Sequence, residues 1–285
     1  AATTIGNFNL TAASGKTVEM DDGTFGAASS TIGSITGSGA GTILLTVGAA
    51  TSLGDIDLTG MTAGSSSTIT LSNTTTAGVT ANLGSGTDTF TGTGGADNIT
   101  GGLGADVILA GGGDDVIDLT EAAGSRAVDH IDISLVAANG TDVITGFSFG
   151  TGGDEIDTEL LGGGNMAAEE AVAAGGTANL TTTATTYIFA DGATASGGDS
   201  LSSANGDYTD MTQVLTFLNA ATTVASGDVD GVAIINDLVT DKAYVYNLVN
   251  DATTAAIAST DLTLHATLTA DTADAVFTTA NTVFT

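Results

Sequence analysis

Large apolar residues along this chain sit in short runs separated by small and polar ones. From Ala1 to about Asn82 the β-prone runs are Thr31 to Thr36, Thr42 to Val47, Ile56 to Leu58, Thr68 to Leu71 and Val79 to Leu83, with glycines between them. Runs of Ile, Leu, Val and Thr this short, bounded by turn residues, predict strands. They fit the coils of an irregular parallel solenoid, with a β-sandwich as the alternative. High β-branched content and few charges argue against disorder.

From Leu83 the spacing becomes regular. Four nine-residue units follow without a gap: Leu83 to Thr91, Gly92 to Thr100, Gly101 to Leu109 and Ala110 to Asp118. Stacked in register, they place Gly86, Gly95, Gly104 and Gly113 in the fourth column, and Asp88, Asp97, Asp106 and Asp115 in the sixth. Phe90, Ile99, Ile108 and Ile117 fill the eighth. The unit Gly101 to Leu109 matches G-G-x-G-x-D-x-U-x throughout, a pattern associated with calcium-binding parallel β-helices. The other units lapse only at Leu83, Thr93 and Ala110. Glycine permits a tight turn, and carbonyls plus an aspartate at fixed offset suit a hard cation that takes six to eight oxygens. Each aspartate ends a turn and the apolar residue two places on begins a strand that faces the core.

Beyond the block, Gly140-Thr-Asp142-Val-Ile144 and Gly152-Gly-Asp154-Glu-Ile156 repeat the Gly-x-Asp-x-apolar core out of period. Asp142, Asp154 and Asp157 are either ligands of a further calcium or turn aspartates. Ala167 to Ala174 reads as a short helix. Tyr208 to Ala221 reads as a longer one, with Met211, Val214, Leu215 and Leu218 on one stripe and Asp207 or Thr209 as its cap. That stripe reads as core packing. Val232 to Ile235 and Ala243 to Val249 form a hairpin or adjacent strands. Asp228-Val-Asp230-Gly231 begins like an EF-hand loop, lacks the remaining ligands, and reads as a turn. The expected organisation is a Gly/Ser/Thr-rich β region over 1–82, a calcium-binding repeat block with the segment that follows it over 83–160, and a β-rich region with a helix over 161–285. The fold class is all-β.

Charge sharpens this picture. Asp and Glu number 33 against 3 Lys and Arg, a formal charge of -30. Such a surface repels nucleic-acid phosphates and anionic lipid, so no nucleic-acid partner is expected. It also repels itself, and Lys16, Arg126 and Lys242 cannot neutralise it; bound calcium can. There is no cysteine for a disulfide or thiolate site and no apolar run long enough for a transmembrane helix, so no membrane insertion is expected. Gly 41 and an aromatic share of 5% imply a thin core of small side chains, which suits a solenoid better than a globule.

Enzyme chemistry has few places to reside. His130 and His265 are the only histidines, both read as surface residues, and neither H-E-x-x-H nor G-x-S-x-G occurs. The 33 acids leave a paired-carboxylate site open, although Trp, the usual sugar platform, is absent.

The nonapeptide units resemble the repeats of the RTX (repeats-in-toxin) proteins. The resemblance implies a parallel β-roll in which two units make one coil and calcium lies between turns on the same edge, pairing Asp88 with Asp106 and Asp97 with Asp115. It implies shells completed by carbonyls near Gly84, Gly86, Gly95, Gly102, Gly104, Gly111 and Gly113. It also implies an aromatic cap, here Phe147 and Phe149. Ser259 to Thr285, without Lys or Arg and ending Asn281-Thr-Val283-Phe284-Thr285, is similar to the C-terminal signals by which RTX proteins leave Gram-negative cells through a type I exporter. It reads equally as a last strand.

RTX-type S-layer proteins share this block and, in composition, the flanks. With zero Pro and two Lys to guard its sheet edges, the chain is expected to be an extracellular homo-oligomer, a lattice or filament bridged in part by calcium, with cell-surface polysaccharide as a candidate anchor. The rival readings are the non-catalytic calcium-binding and secretion portion of a larger adhesin or hydrolase, and a secreted enzyme in its own right.

Overall fold

In a computed structural model, the chain forms two compact units, one of residues 1–132 and 138–146, the other of 133–137 and 147–285. The structure describes residues 3–21, 30–48, 52–71, 77–122, 124–133, 140–157, 168–172, 178–180, 185–190, 208–224, 229–237, 240–250, 256–272 and 278–283.

The first unit is a right-through stack of coils, each giving one strand to each of two parallel sheets. One sheet runs through Phe8–Ala12, Ile35–Gly39, Ile56–Met61, Thr80–Asn82, Asn98–Thr100, Val116–Asp118 and Asp142–Phe147. The other runs through Thr17–Asp21, Thr42–Val47, Ser65–Leu71, Gly86–Thr91, Val107–Leu109 and His130–Asp132. A third, short sheet joins Thr3–Ile5, Ser30–Ile32 and Ser52–Leu53 in the first coils. The region before Leu83 is therefore a parallel solenoid continuous with the repeats, and not a sandwich.

The register explains the apolar column. Ile35, Ile56, Ala81, Ile99, Ile117 and Ile144 lie opposite one another from coil to coil, as do Leu45, Ile69, Phe90, Ile108 and Ile131 on the second sheet. None is more than 1% exposed. Side chains alternate across a strand, so one inward apolar residue on each short repeat strand, and two or three on the longer strands such as Thr42–Val47, fill the narrow space between sheets. Fully burying each such residue stabilises by about 1.5 to 3 kcal/mol. The outward neighbours mix threonine with aliphatic residues, Thr68, Thr89 and Val107 forming one row and Thr70, Thr91 and Leu109 another.

The second unit carries its aromatics. Ala168–Val172, Thr185–Ala190 and Val229–Asp237 pair in parallel, and Val229–Asp237, Lys242–Asn250 and Leu262–Ala270 antiparallel. The helix Met211–Ala221 buries Val214, Phe217 and Leu218 against Tyr187, Phe189, Tyr244 and Tyr246. Its stripe is core packing. Asp210 caps it, its carboxylate accepting from Thr212 N at 2.9 Å; Thr209 does not hold that position and Asp207 lies outside the described residues.

Three local expectations differ. The helix expected around Ala167 to Ala174 is the strand Ala168–Val172, because ladder hydrogen bonds to Thr185–Ala190 outweigh the modest helix preference of Ala and Glu; Ala167, Ala173 and Ala174 lie outside the described residues. Asp230, expected in a turn, belongs to the strand Val229–Asp237; Asp228 lies outside the described residues. His265, expected on the surface, is 1% exposed, at the bulge where Leu262–Ala270 slips against Val245 and Tyr246. Burial lowers its pKa.

The C-terminal stretch is built into this unit. Thr282–Val283 pairs in parallel with Glu155–Asp157, while Phe284 and Thr285 lie outside the described residues. Phe147 is buried and its ring lies 5.4 Å from that of Phe149. Asn281, fully buried, clasps the turn that follows: its Nδ2 donates to the carbonyls of Ser148 (3.2 Å), Gly150 (3.2 Å) and Asp154 (2.7 Å), and its Oδ1 accepts from Gly150 N (2.8 Å). Asn281→Ala leaves those groups unanswered inside the protein. It is expected to cost roughly 2 to 4 kcal/mol, read as an earlier urea midpoint for the aromatic fluorescence of this unit.

Candidate metal centre

Each turn of the repeat block stacks on the turn one coil before it, and glycine is what lets it approach. Gly104 and Gly113 both have φ of 111°, a region closed to most side chains. A Cβ on Gly104 would stand 2.1 Å from the carbonyl oxygen of Gly86, and one on Gly113 would stand 2.6 Å from Ala96 N. Gly102 and Gly111 stack in the same manner on the carbonyls of Gly84 and Thr93. Backbone oxygens thus point along the stack, from turn to turn. Gly84, Gly86 and Gly95 are in the block too, without positive φ; Gly86 begins the strand Gly86–Thr91, where a Cβ would stand 2.2 Å from the Ser65 carbonyl oxygen.

Beside the carbonyls run two ladders of carboxylates. On one edge Ser67 N donates to Asp88 Oδ1 (2.6 Å), Asp88 N to Asp106 Oδ1 (2.9 Å) and Asp106 N to Asp129 Oδ1 (2.9 Å). On the other, Val79 N donates to Asp97 Oδ1 (2.7 Å), Asp97 N to Asp115 Oδ1 (2.7 Å) and Asp115 N to Asp142 Oδ1 (3.1 Å). The six aspartates are all buried, none more than 3% exposed. Asp88 with Asp106, and Asp97 with Asp115, stand 18 positions apart, two nonapeptides to the coil; the steps to Asp129 and Asp142 lengthen to 23 and 27.

The second oxygens differ. Asp88 Oδ2 accepts from Gly84 N at 3.0 Å, and Asp97 Oδ2 from Thr93 N at 2.7 Å. Thr93, which interrupts the glycine column, brings its hydroxyl to 2.9 Å from Asp97 Oδ1. Asp115 Oδ2 is buried and has no hydrogen-bond partner. Glu121 reaches over the first edge, accepting from Gly104 N (2.9 Å) and Ala127 N (2.7 Å).

Asp154 and Asp157 lie in the second unit. Asp154 Oδ2 accepts from Ser148 N at 2.7 Å, a contact of the kind that Asp88 and Asp97 make with Gly84 N and Thr93 N, and Asp157 is buried on the strand Glu155–Asp157. Sequence reasoning missed Asp129 and Glu121. A signal existed for Asp129: Asp129-His-Ile131 keeps the aspartate-to-apolar offset of the repeats, but without their glycine.

The electrostatics follow from burial. Desolvation pushes Asp106 up to about 8, with Asp129, Asp88 and Glu121 adding repulsion against the hydrogen bond from Asp88 N. Asp115 rises likewise to about 8, through burial and then Asp142, Asp97 and Asp114. Burial raises Asp97 also, against hydrogen bonds from Thr93 and Val79. Buried carboxylates so placed need a proton or a cation. A divalent metal fits: the donors are hard oxygens, and Asp115 presents one unanswered. Among the described residues no three Asp, Glu, His or Cys side chains gather to hold a metal by themselves. A shell here draws on backbone carbonyls as well, which is how calcium is held and unlike a zinc site.

This is the geometry of a calcium-binding parallel β-roll. The family model of the RTX calcium-binding nonapeptide repeat, in four copies, matches residues 83–117. These units are RTX repeats, a structural and non-catalytic element, and their cofactor is Ca2+. Such repeats are typical of secreted, extracellular bacterial proteins. No curated protein and no solved structure matches the chain. No helix among the described residues is long and apolar enough to cross a membrane.

Proposed function

We propose that the protein is a calcium-dependent extracellular structural protein that assembles with copies of itself into a surface layer or fibre. The observation that carries this reading is the pair of buried aspartate ladders in a chain of net charge -30 with only three Lys and Arg. Folding then awaits a medium rich in calcium, as the exterior of a cell is and its cytoplasm is not. Export through a type I system of a Gram-negative cell, directed by Ser259 to Thr285, agrees with that order of events. Asp88, Asp97, Asp106, Asp115 and Asp142, with carbonyls of the glycine turns, are the proposed ligands. Calcium also bridges acidic surfaces between copies, and cell-surface polysaccharide is the proposed anchor. Neither nucleic acid nor membrane insertion has a part.

Electron microscopy of the purified chain tests this. Ordered sheets or filaments are expected in millimolar calcium and dispersed particles in EGTA. A chain that folds on calcium yet stays dispersed at every concentration is instead the calcium-binding and secretion portion of a larger adhesin or hydrolase.

A further inference from the structure

The first carboxylate ladder has a head one coil before the repeat block. Ser65–Leu71 pairs with Gly86–Thr91 so that Ser65 lies opposite Gly86, Ser67 opposite Asp88 and Ile69 opposite Phe90. Gly64-Ser65-Ser66-Ser67-Thr68-Ile69 therefore stands where a repeat turn would, with one serine in the glycine column and another in the aspartate column. Both serines are buried, at 5% and 1% exposed, and neither hydroxyl has a hydrogen-bond partner. A buried hydroxyl left unanswered is costly, and here two sit on the inward side of one strand.

Their surroundings are oxygen-rich. A Cβ on Gly86 would stand 3.0 Å from Ser65 Oγ, so that hydroxyl lies against the turn that carries Asp88. Asp88 Oδ1 accepts from Ser67 N and Oδ2 from Gly84 N, which leaves each carboxylate oxygen a further lone pair. A cleft of about 590 Å³, lined in part by Gly64, Ser65, Ser85 and Gly86, brings solvent to both turns. The second ladder has no such head: Val79 stands there, and the Thr93 hydroxyl already donates to Asp97.

We infer that the turn ending at Ser67 and the turn ending at Asp88 hold a further calcium between them, with the Asp88 carboxylate and the hydroxyls of Ser65 and Ser67 as its side-chain donors. The inference extends the calcium chemistry of the repeats beyond residues 83–117. Oxygen donors alone select a hard cation, and turn carbonyls and water complete its shell. With serine in place of one aspartate the site carries less charge than those below it, so it is the last to fill as calcium rises.

Equilibrium dialysis of the full-length chain at pH 8 counts the ions. Ser65→Ala and Ser67→Ala are each expected to bind one fewer calcium than the parent, the one lost being the last to fill. Ser67→Asp, which restores the acidic column, is expected to keep the count and fill that site at a calcium concentration about tenfold lower. Melting in EGTA at pH 5 guards against simple misfolding: the alanine variants are expected to melt at or above the parent's temperature, since each removes an unanswered hydroxyl. An ion count unchanged in both alanine variants overturns the site and leaves the calcium of the repeats standing; joined to a lower melting temperature in EGTA, it assigns the serines to a buried water instead. A parent that binds no calcium overturns both.

Discussion

Stripping calcium with EGTA at pH 8 is expected to unfold the repeat block, and lowering the pH to 5 with EGTA still present is expected to restore it. Asp106 and Asp115 have folded-state pKa values raised to about 8 in the metal-free roll, from an ordinary value near 3.8. A raised value means that the folded state binds the proton more tightly than the unfolded chain. The stability tied to these groups is therefore complete below about pH 4 and is lost as pH climbs through about 8. Proton and calcium answer the same buried charges, so either one suffices. Circular dichroism near 218 nm, a range set by strand content and not by this chain alone, gives the readout in a pH series with and without calcium, with half-saturation on the order of 10⁻⁴ to 10⁻³ M at pH 8, typical of extracellular calcium modules. General self-repulsion predicts a different result: molar salt at pH 8 in EGTA would then rescue the fold as well as acid does, because exposed charges are screened and buried ones much less. Rescue by salt, or an unchanged spectrum in EGTA at pH 8, would count against the ladders as the seat of calcium dependence.

Asp106→Asn and Asp115→Asn are expected to separate metal binding from backbone support. The amide oxygen still accepts the N–H of Asp88 or Asp97, now without a buried charge. Metal-free protein at pH 8 is expected to gain on the order of 1 to 3 kcal/mol from each change, while calcium affinity falls tenfold or more. Alanine at the same positions orphans the amide and removes the ligand, so stability falls with and without calcium. Thermal melts in EGTA and calcium titrations read the two effects independently. Asparagine variants that are less stable than the parent in EGTA would show that the carboxylates are not the strained groups.

Much of this architecture was legible where the chain repeats. Period nine fixed the apolar column of Phe90, Ile99, Ile108 and Ile117 and the acidic column beside it, because a solenoid turns sequence spacing directly into spatial stacking. Before Leu83 the coils vary in length, yet Ile35, Ile56 and Leu45 still mark the inward positions, so the parallel solenoid could be read although its register could not. Reading failed where long-range pairing overrides local preference. Ala168–Val172 has helix-forming residues and lies in a sheet, and His265 falls in the stretch that reads as an export signal yet is enclosed by the fold. Asp129 escaped because Ala127 stands where its relatives have glycine and the step to it is 23 residues, not 18, while the hydrogen bond from Asp106 N holds its position on the ladder.

The alternation of nonapeptides between two sheets imposes a parity on the chain. Phe90 and Ile108 belong to one sheet, Ile99 and Ile117 to the other. Deleting or duplicating one unit would send every later strand to the opposite wall and deliver Asp129 and Asp142 to each other's edges, whereas adding or removing a pair only lengthens or shortens the stack by a coil. Repeat number in such a protein is thus free to drift in even steps and is blocked in odd ones.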